Sequence, residues 1–427
     1  MVENERKDDN TGDSGGPLRR ERSEASKSPK KLRVLLRTFG CQMNVRDSEV
    51  IAGLLDRAGY RITEDEDLAD VIIFNTCSVR QHAEDRVWSA VGQIVKKQER
   101  LSSGIVPIVG IVGCMANNYQ EAIFEKASQV DFVVGTADIH RIPGIINKLS
   151  AIRYPCLAGR QALSAIKIWE TDGETRPEEV YHTGFHLDQN HAFVVISEGC
   201  ENYCSYCVVP YTRGKLRSRN YQDILDEIKE NIDAGVSKIT LLGQNVNAYG
   251  VENREQRTEN RENINFVKLL ELIDQVKGLK EFSFVTSHPK DTTIDLFKVM
   301  GSLEKLKKHL HLPIQSGSNK ILKLMKRGYT RESFLSLIDN YRKIVQNGKF
   351  STDVIVGFPT ETQEDFLDTY NLVRDVQFNA AYIFKYSPRP RTLAESFPDD
   401  VPLEEKQRRH GVILELQKKI SRSKRVE

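Results

Sequence analysis

The run Gly199-Cys-Glu-Asn-Tyr-Cys-Ser-Tyr-Cys-Val208 places Cys200, Cys204 and Cys207 on one short loop, spaced C-x3-C-x2-C. That is the spacing with which a loop wraps three corners of a cubic iron–sulfur cluster. A cluster that only carries electrons usually has four Cys ligands, so three leave one iron open to a substrate or cofactor. A disulfide reading conflicts with a chain that shows no signal peptide and reads as intracellular. Zinc is the competing reading, because C-x2-C is also a zinc half-site. No partner C-x2-C or H-x3-H lies nearby to complete a tetrahedron.

The loop follows the first of six expected strand–helix units. The strands are expected at Ala192–Ser197, Lys238–Leu242, Glu281–Thr286, His309–Ile314, Thr352–Val356 and Ala381–Tyr386, with helices that include Asn220–Ala234, Phe266–Val276, Arg331–Gln346 and Gln363–Val376. This pattern predicts a partial (β/α)6 barrel over residues 188–400. Polar motifs stand just after most strands, among them Gly243-Gln-Asn245, Ser287-His-Pro289, Gln315-Ser-Gly317 and Gly357-Phe-Pro359. In β/α barrels that rim is where sites are built.

An earlier α/β region is expected over residues 32–153. Leu32–Phe39, Ala69–Asn75, Pro107–Val112 and Val130–Val134 read as strands, alternating with helices at Asp47–Ala58 and from about Gln81 to Arg100. Apolar strands alternating with helices predict an open parallel sheet covered on both faces. Cys41, Cys77 and Cys114 each follow one strand, 36 and 37 residues apart, about one β-α repeat. The carboxyl ends of parallel strands share one edge, where ligands bind. The three Cys are therefore expected to converge as a second three-thiolate set. The competing reading is buried apolar Cys at strand ends. Cys156 has no such placement.

Residues 1–31 are expected to be a disordered tail, being charged and almost free of apolar residues, and Val251–Asn263 (VENREQRTENREN) a projecting loop. Residues 154–187 are expected to be a linker, and 401–427 a basic C-terminal helix. The 427 residues carry a net charge of only +2, so the whole chain is no polycation and nucleic-acid contact must come from local patches. Arg213-Gly-Lys-Leu-Arg-Ser-Arg219 is one such patch, and Arg389 and Arg391 form another; guanidinium forks suit phosphates. Seven Cys in a chain this long fit a reducing compartment, and no apolar run approaches a membrane span. A cytoplasmic monomer with no membrane partner is expected.

With these segments in view, the chain resembles the radical S-adenosylmethionine (SAM) methylthiotransferases, and among them the MiaB type that acts on tRNA. The resemblance runs from about Leu32 to the C-terminus. It rests on FGCQMNVRDSEVIAGLL (39–55), ADVIIFNTCSVR (69–80), EGCENYCSYCVVPYTRGKLRSR (198–219), LLGQNVNAYG (241–250), TSHPKD (286–291), LHLPIQSGSNKILKLMKRGYTRE (310–332), STDVIVGFPTETQEDF (351–366) and YSPRPRT (386–392).

The resemblance implies that Cys200, Cys204 and Cys207 hold a 4Fe–4S cluster whose open iron chelates SAM. An electron from that cluster then yields a 5′-deoxyadenosyl radical. It implies that Cys41, Cys77 and Cys114 hold an auxiliary 4Fe–4S cluster involved in sulfur transfer. The implied substrate is tRNA carrying N6-dimethylallyladenosine next to the anticodon (position 37), and the product gains a 2-methylthio group. An electron donor such as flavodoxin or ferredoxin is implied. Tyr206 matches the aromatic residue usual before the third Cys, and Tyr206, Arg217, Arg219 and Gln244 are the candidates for cofactor or substrate contact. Related branches act on threonylcarbamoyl-adenosine in tRNA or on a ribosomal-protein Asp. A non-enzymatic zinc-binding scaffold is the alternative from another class. The family usually ends in a β-rich TRAM domain that holds RNA; no such module is read here, which leaves the Arg213–Arg219 patch and the basic C-terminal run as expected RNA contacts.

Overall fold

The structure is a computed structural model that describes residues 31–78, 81–98, 106–153, 166–251 and 264–426. Nearly all of the expected tail, nearly all of the expected loop at Val251–Asn263, and Cys156 lie outside the described residues.

The first region is a six-stranded, all-parallel sheet. Its strands are β1 (Arg33–Phe39), β2 (Arg61–Thr63), β3 (Val71–Thr76), β4 (Ile108–Gly113), β5 (Phe132–Val134) and β6 (Ile168–Glu170), in the spatial order β2-β1-β3-β4-β5-β6. Its helices are α1 (Gln42–Arg57), α2 (Gln81–Gln98), α3 (Cys114–Tyr119), α4 (Ala122–Lys126) and α5 (Ile142–Arg153). Alternate side chains of β3 serve opposite layers. Val71 and Ile73 pack with Val50, Ile51 and Leu55 of α1 and Ile142 and Ile146 of α5. Ile72 and Phe74 pack with Val87, Val91 and Ile94 of α2. Burial on both faces is why these strands read as unbroken apolar runs. Two strands differ from expectation. β2 was not read at all, and β6 lies within the expected linker yet pairs in parallel with β5. At three residues each, both are too short to carry a periodic signal.

The second region contains β7 (His191–Val195), the short pair β8 (Ser197–Glu198) and β9 (Arg217–Ser218), β10 (Lys238–Leu242), β11 (Glu281–Phe284), β12 (His309–His311), β13 (Lys349–Val356) and β14 (Ala380–Lys385). Around it lie α6 (Val209–Arg213), α7 (Tyr221–Asp233), α8 (Phe266–Asp274), α9 (Ile294–Ser302), α10 (Asn319–Leu324), α11 (Arg331–Ile344), α12 (Gln363–Val376) and α13 (Leu403–Val426). The sheets β7-β10-β11 and β12-β13-β14 are both parallel. They meet through a bridge between Phe282 and Leu306, giving the expected six-strand partial barrel in sequence order. Outward residues such as Val194, Leu241, Phe282, Leu310 and Val354 form the core under the helices. Inward positions are polar: His191 bonds Thr240 (2.8 Å), and His309 and His311 bond Ser351 (3.0 and 2.9 Å). The inner face is thus built to meet solvent or ligand.

The basic C-terminal helix is the barrel's last helix, not a free arm. Ile413, Gln417 and Ile420 of α13 are buried, and Gln417 donates to the Phe378 carbonyl at 3.0 Å. On its outer side Arg408 and Lys418 pair with Glu405 and Glu415. Among the described residues no helix is long and apolar enough to cross a membrane.

A buried ionic lattice locks the sheet to the barrel. Asp47 of α1 meets Arg176 at 2.7 Å and Arg213 of α6 at 2.6 Å. Its neighbour Arg46 donates to Glu227 of α7 at 3.0 Å and to the Tyr181 carbonyl at 2.6 Å. Burial pushes Asp47 up, but Arg176 and Arg213 pull it below the ordinary carboxylate range. Because the folded value is depressed, its stabilisation is present above the ordinary Asp range and is lost as pH falls through the folded value. Removing one member of a buried pair leaves the other charge unpaired, at about 3–5 kcal/mol. Asp47→Ala leaves Arg176 and Arg213 to share Glu198 alone and should lower the unfolding free energy by about that amount, measured by urea denaturation at neutral pH. A loss below about 1 kcal/mol would show that the lattice does not hold the two regions together.

Candidate active site

Each Cys of the first set is placed by the sheet. Phe39, Thr76 and Gly113 stand side by side on β1, β3 and β4. Cys77 and Cys114 come next in sequence, and Cys41 follows Phe39 by two residues. Gly40, at φ +145°, makes this approach possible, since a Cβ there would lie 2.5 Å from the Cys77 Cβ. Two asparagines fix the turn: Asn44 donates to the Asn75 side chain at 3.1 Å, and Asn75 to the Asn44 carbonyl at 2.8 Å. The Cys41 thiol donates to Asn44 Oδ1 at 3.3 Å. Its hydrogen bond with Cys77 lowers Cys41 to about 6, with help from Arg213 against the effect of burial. Burial pushes the Cys114 thiol up, opposed by Arg213, whose Nε lies 3.3 Å from the Cys114 sulfur.

The second set is carried on the loop between β8 and β9. Gly199 opens it at φ +76°, where a Cβ would come within 1.9 Å of the Lys215 carbonyl oxygen. The Gly199 N–H donates to the Gln244 side chain, and the Cys200 N–H to the Gly214 carbonyl at 3.1 Å. Ser205 anchors the middle, donating from its N–H to Met325 (3.1 Å) and from its hydroxyl to Leu324 (2.8 Å). Burial raises the Cys200 thiol and pushes Cys207 up to about 12. Arg327 donates to the Cys204 sulfur at 3.3 Å and to the Pro313 carbonyl at 3.1 Å. Each thiol set therefore has one buried arginine aimed at one sulfur.

Between the sheet edge and the barrel rim lies a cavity of about 1010 Å³, reached by Cys207 of the second set and by Phe39 and Gly40, which precede Cys41. Phe39, Gly40, Gln81, His82 and Arg86 line it from the sheet; Tyr206, Cys207, Gln315, Asp353, Ile383 and Lys385 line it from the barrel. The last rim loop closes one side, where Arg389 donates to Gln81 at 2.7 Å. Beside the Cys200 loop, the carboxyl ends of β7, β10 and β11 present buried polar atoms without a protein partner: Ser197 Oγ, Asn245 Oδ1, Ser287 Oγ and His288 Nε2. Burial, then Arg327 and Lys290, lowers His288 to about 2, so it is neutral. Its Nδ1 accepts from the Lys290 N–H at 3.2 Å, which puts the proton on Nε2.

This donor set fits the implied groups. Three thiols per set would hold three irons of a cube and leave the fourth open. Among the described residues no three His, Cys, Asp or Glu stand close enough to hold a single metal ion. Thiolates that each bind a different iron of one cube stand farther apart than the ligands of one ion. The orphaned atoms beside Cys200 include both donors and acceptors, as a polar cofactor requires.

Tyr206 lines the cavity, and Gln244 braces the Cys loop rather than facing outward. The basic run differs from expectation. Arg219 is buried and engaged by Glu227 (2.5 Å), Glu178 (2.9 Å) and the Val195 carbonyl (2.7 Å), so it faces no RNA phosphate. Arg213 belongs to the ionic lattice. Arg217 is partly exposed and lies 3.7 Å from Glu198. His288 stands in the expected rim motif Ser287-His-Pro289, whereas Arg327 and the Asn44–Asn75 pair have no expected role, because nothing in their local spacing ties them to the thiols.

Fold and site together define a radical SAM enzyme. Residues 194–373 match the family model of the Radical SAM superfamily, and residues 33–135 match that of Uncharacterized protein family UPF0004. A radical SAM methyltransferase, TsrM from Kitasatospora setae, shares the fold at a TM-score of 0.55 and 12% identity, over 85% of this chain and 77% of that one. A tRNA-2-methylthio-N(6)-dimethylallyladenosine synthase from Thermoanaerobacter sp. (strain X514) is 43% identical over 401 residues, 93% of this chain and 80% of the relative. One of the same name from Moorella thermoacetica is 42% identical, over 91% of this chain and 83% of the relative. The chain belongs to the family of tRNA-2-methylthio-N(6)-dimethylallyladenosine synthases. As a radical SAM family member it takes a 4Fe–4S cluster and SAM.

Gly199 offers a direct test of the loop. Alanine there is strained at left-handed φ, by about 1–2 kcal/mol, before any clash is counted. Gly199→Ala should lose iron from the Cys200 loop after anaerobic reconstitution while the far-UV circular dichroism spectrum stays unchanged. Full iron retention would show that the close approach to Lys215 is dispensable.

Proposed function

We propose that this chain is a transferase that adds a methylthio group to carbon 2 of N6-dimethylallyladenosine in tRNA, at position 37 next to the anticodon. The observation that carries this reading is the pair of three-thiol sets, one at the strand ends next to Phe39 and Gly40 and one on the Cys207 loop, with the cavity lined by residues of both neighbourhoods. Carbon 2 of adenine bears an unactivated hydrogen that side-chain acids and bases do not remove readily at neutral pH, so a cofactor must do it.

In this reading Cys200, Cys204 and Cys207 hold the cluster that engages SAM, and Cys41, Cys77 and Cys114 hold an auxiliary 4Fe–4S cluster. When bound, these groups supply hydrogen-atom removal from an unactivated carbon and delivery of sulfur to it. The protein's part is placement. Ser197, Asn245, Ser287 and the Nε2–H of His288 meet the polar groups of SAM. Gln244 holds the Cys loop in place through Gly199. Phe39, Ile355, Ile383 and Phe384 give the cavity an apolar wall for the adenine ring and its dimethylallyl group. Lys385, exposed beside the cavity, is placed for a phosphate. Flavodoxin or ferredoxin is the class of one-electron donor this chemistry needs.

Two measurements test it. Bulk tRNA from a strain lacking this gene should accumulate N6-dimethylallyladenosine and lack its 2-methylthio form by nucleoside mass spectrometry. Reconstituted Cys77→Ala should still cleave SAM to 5′-deoxyadenosine yet yield no methylthiolated nucleoside. Normal product from that variant would reduce the strand-end cysteines to core residues and overturn the reading.

A further inference from the structure

One exposed feature beside the cavity has no role in the chemistry above. Tyr203 lies inside the Cys loop, next to Cys204, and is 47% exposed. Its ring meets that of Tyr211 edge-on, with centroids 6.5 Å apart. The guanidinium of Arg391 lies over Tyr211, 5.6 Å from the ring centre. Arg391 belongs to the last rim loop, and its Nη1 donates to the Asn117 carbonyl of α3 at 3.2 Å. The group therefore joins three pieces: the SAM-side Cys loop, the helix that starts at Cys114, and the rim loop. Tyr203 and Arg391 are both held at left-handed φ, +43° and +72°, unusual for non-glycine residues and found where surrounding structure fixes a functional conformation. Tyr206–Val208 and Ser387–Arg389, within a few residues of this group, line the cavity itself.

We infer that Tyr203, Tyr211 and Arg391 form a stacking platform for an unpaired nucleobase adjacent to the adenosine in the cavity. This deepens the proposed function and rests on it. An adenosine that enters the cavity must leave the stack of its own loop, and its neighbour then loses a stacking face. Unpaired bases are recognised by stacking on aromatic rings and guanidinium planes. An exposed tyrosine, a second ring beneath it and an arginine provide that surface. The cations nearby, Arg391 and exposed Lys215, suit the phosphates that flank such a base.

The test uses the reconstituted full chain and an anticodon stem-loop RNA carrying N6-dimethylallyladenosine. One RNA has 2-aminopurine on the 5′ side of that adenosine, a second on the 3′ side. Binding to the unaltered protein should quench the fluorescence of one of the two. Tyr203→Leu should abolish the quenching and weaken binding roughly tenfold, as expected for one lost base stack. Tyr203→Phe should preserve both. Arg391→Leu, which replaces no cysteine and lies outside both Cys loops, should reduce the quenching as well. Iron content should match in all variants. Unchanged quenching and affinity in Tyr203→Leu would overturn the platform. So would unchanged quenching combined with slower reduction by flavodoxin, which would assign the face to the electron donor. Absence of RNA binding by the unaltered protein is a different failure, that of the proposed function itself.

Discussion

The placement of both thiol sets depends on one buried carboxylate. Asp47 sits six residues after Cys41 on α1 and holds Arg213, which follows the second Cys loop on α6. Through Nε the same guanidinium reaches the sulfur of Cys114 at 3.3 Å. One side chain thus ties together the first helix, the end of β4 and the loop of the second set. The lattice of Arg46, Arg176, Glu198 and Glu227 extends this contact, and every one of these charges is almost wholly buried. Buried ion pairs are a poor source of net stability compared with apolar packing. What this lattice provides is register: its charges on α1 pair with charges on α6 and α7 of the barrel.

From that register follows the cavity. The sheet's carboxyl edge faces the barrel rim because α1 and α2 meet the barrel on two sides, α1 through Arg46 and α2 through Gln81 and Glu84 with Arg389. The chemistry needs both features at once. A radical formed at one metal site is useful only if substrate and sulfur lie within its reach, and a closed cavity limits competing reactions. The arginine beside each thiol set also places a fixed positive charge next to a sulfur, and hydrogen bonds to ligand sulfurs are among the factors that would set the potential of a cluster held there.

Much of this was legible in the sequence, for a physical reason. A parallel strand buried on both faces is a continuous apolar run, and Cys41, Cys77 and Cys114 follow such runs directly. The same applies to the rim motifs after β10, β11 and β13. The rest was hidden because it is non-local. Arg327 lies 123 positions from the sulfur it meets, and Arg213 lies 99 positions from Cys114. The basic run 213–219 resembled a solvated RNA-binding patch because its acidic partners Asp47, Glu178 and Glu227 are scattered through the chain. Strand β6 falls within the expected linker because three residues cannot display a period. The C-terminal helix looked basic all along its length, yet Ile413 and Ile420 seat it on the barrel.

In this arrangement six cysteines form two separate cluster sites, one at the sheet's strand ends and one on the barrel loop. Iron analysis with Mössbauer spectroscopy on anaerobically reconstituted protein tests it most directly, comparing the unaltered chain with a variant in which Cys200, Cys204 and Cys207 are all replaced by Ala. About eight irons per chain are expected in the first and about four in the second, each with the signature of a 4Fe–4S cube. Stoichiometric zinc without iron, or a triple variant that binds no iron, would contradict it.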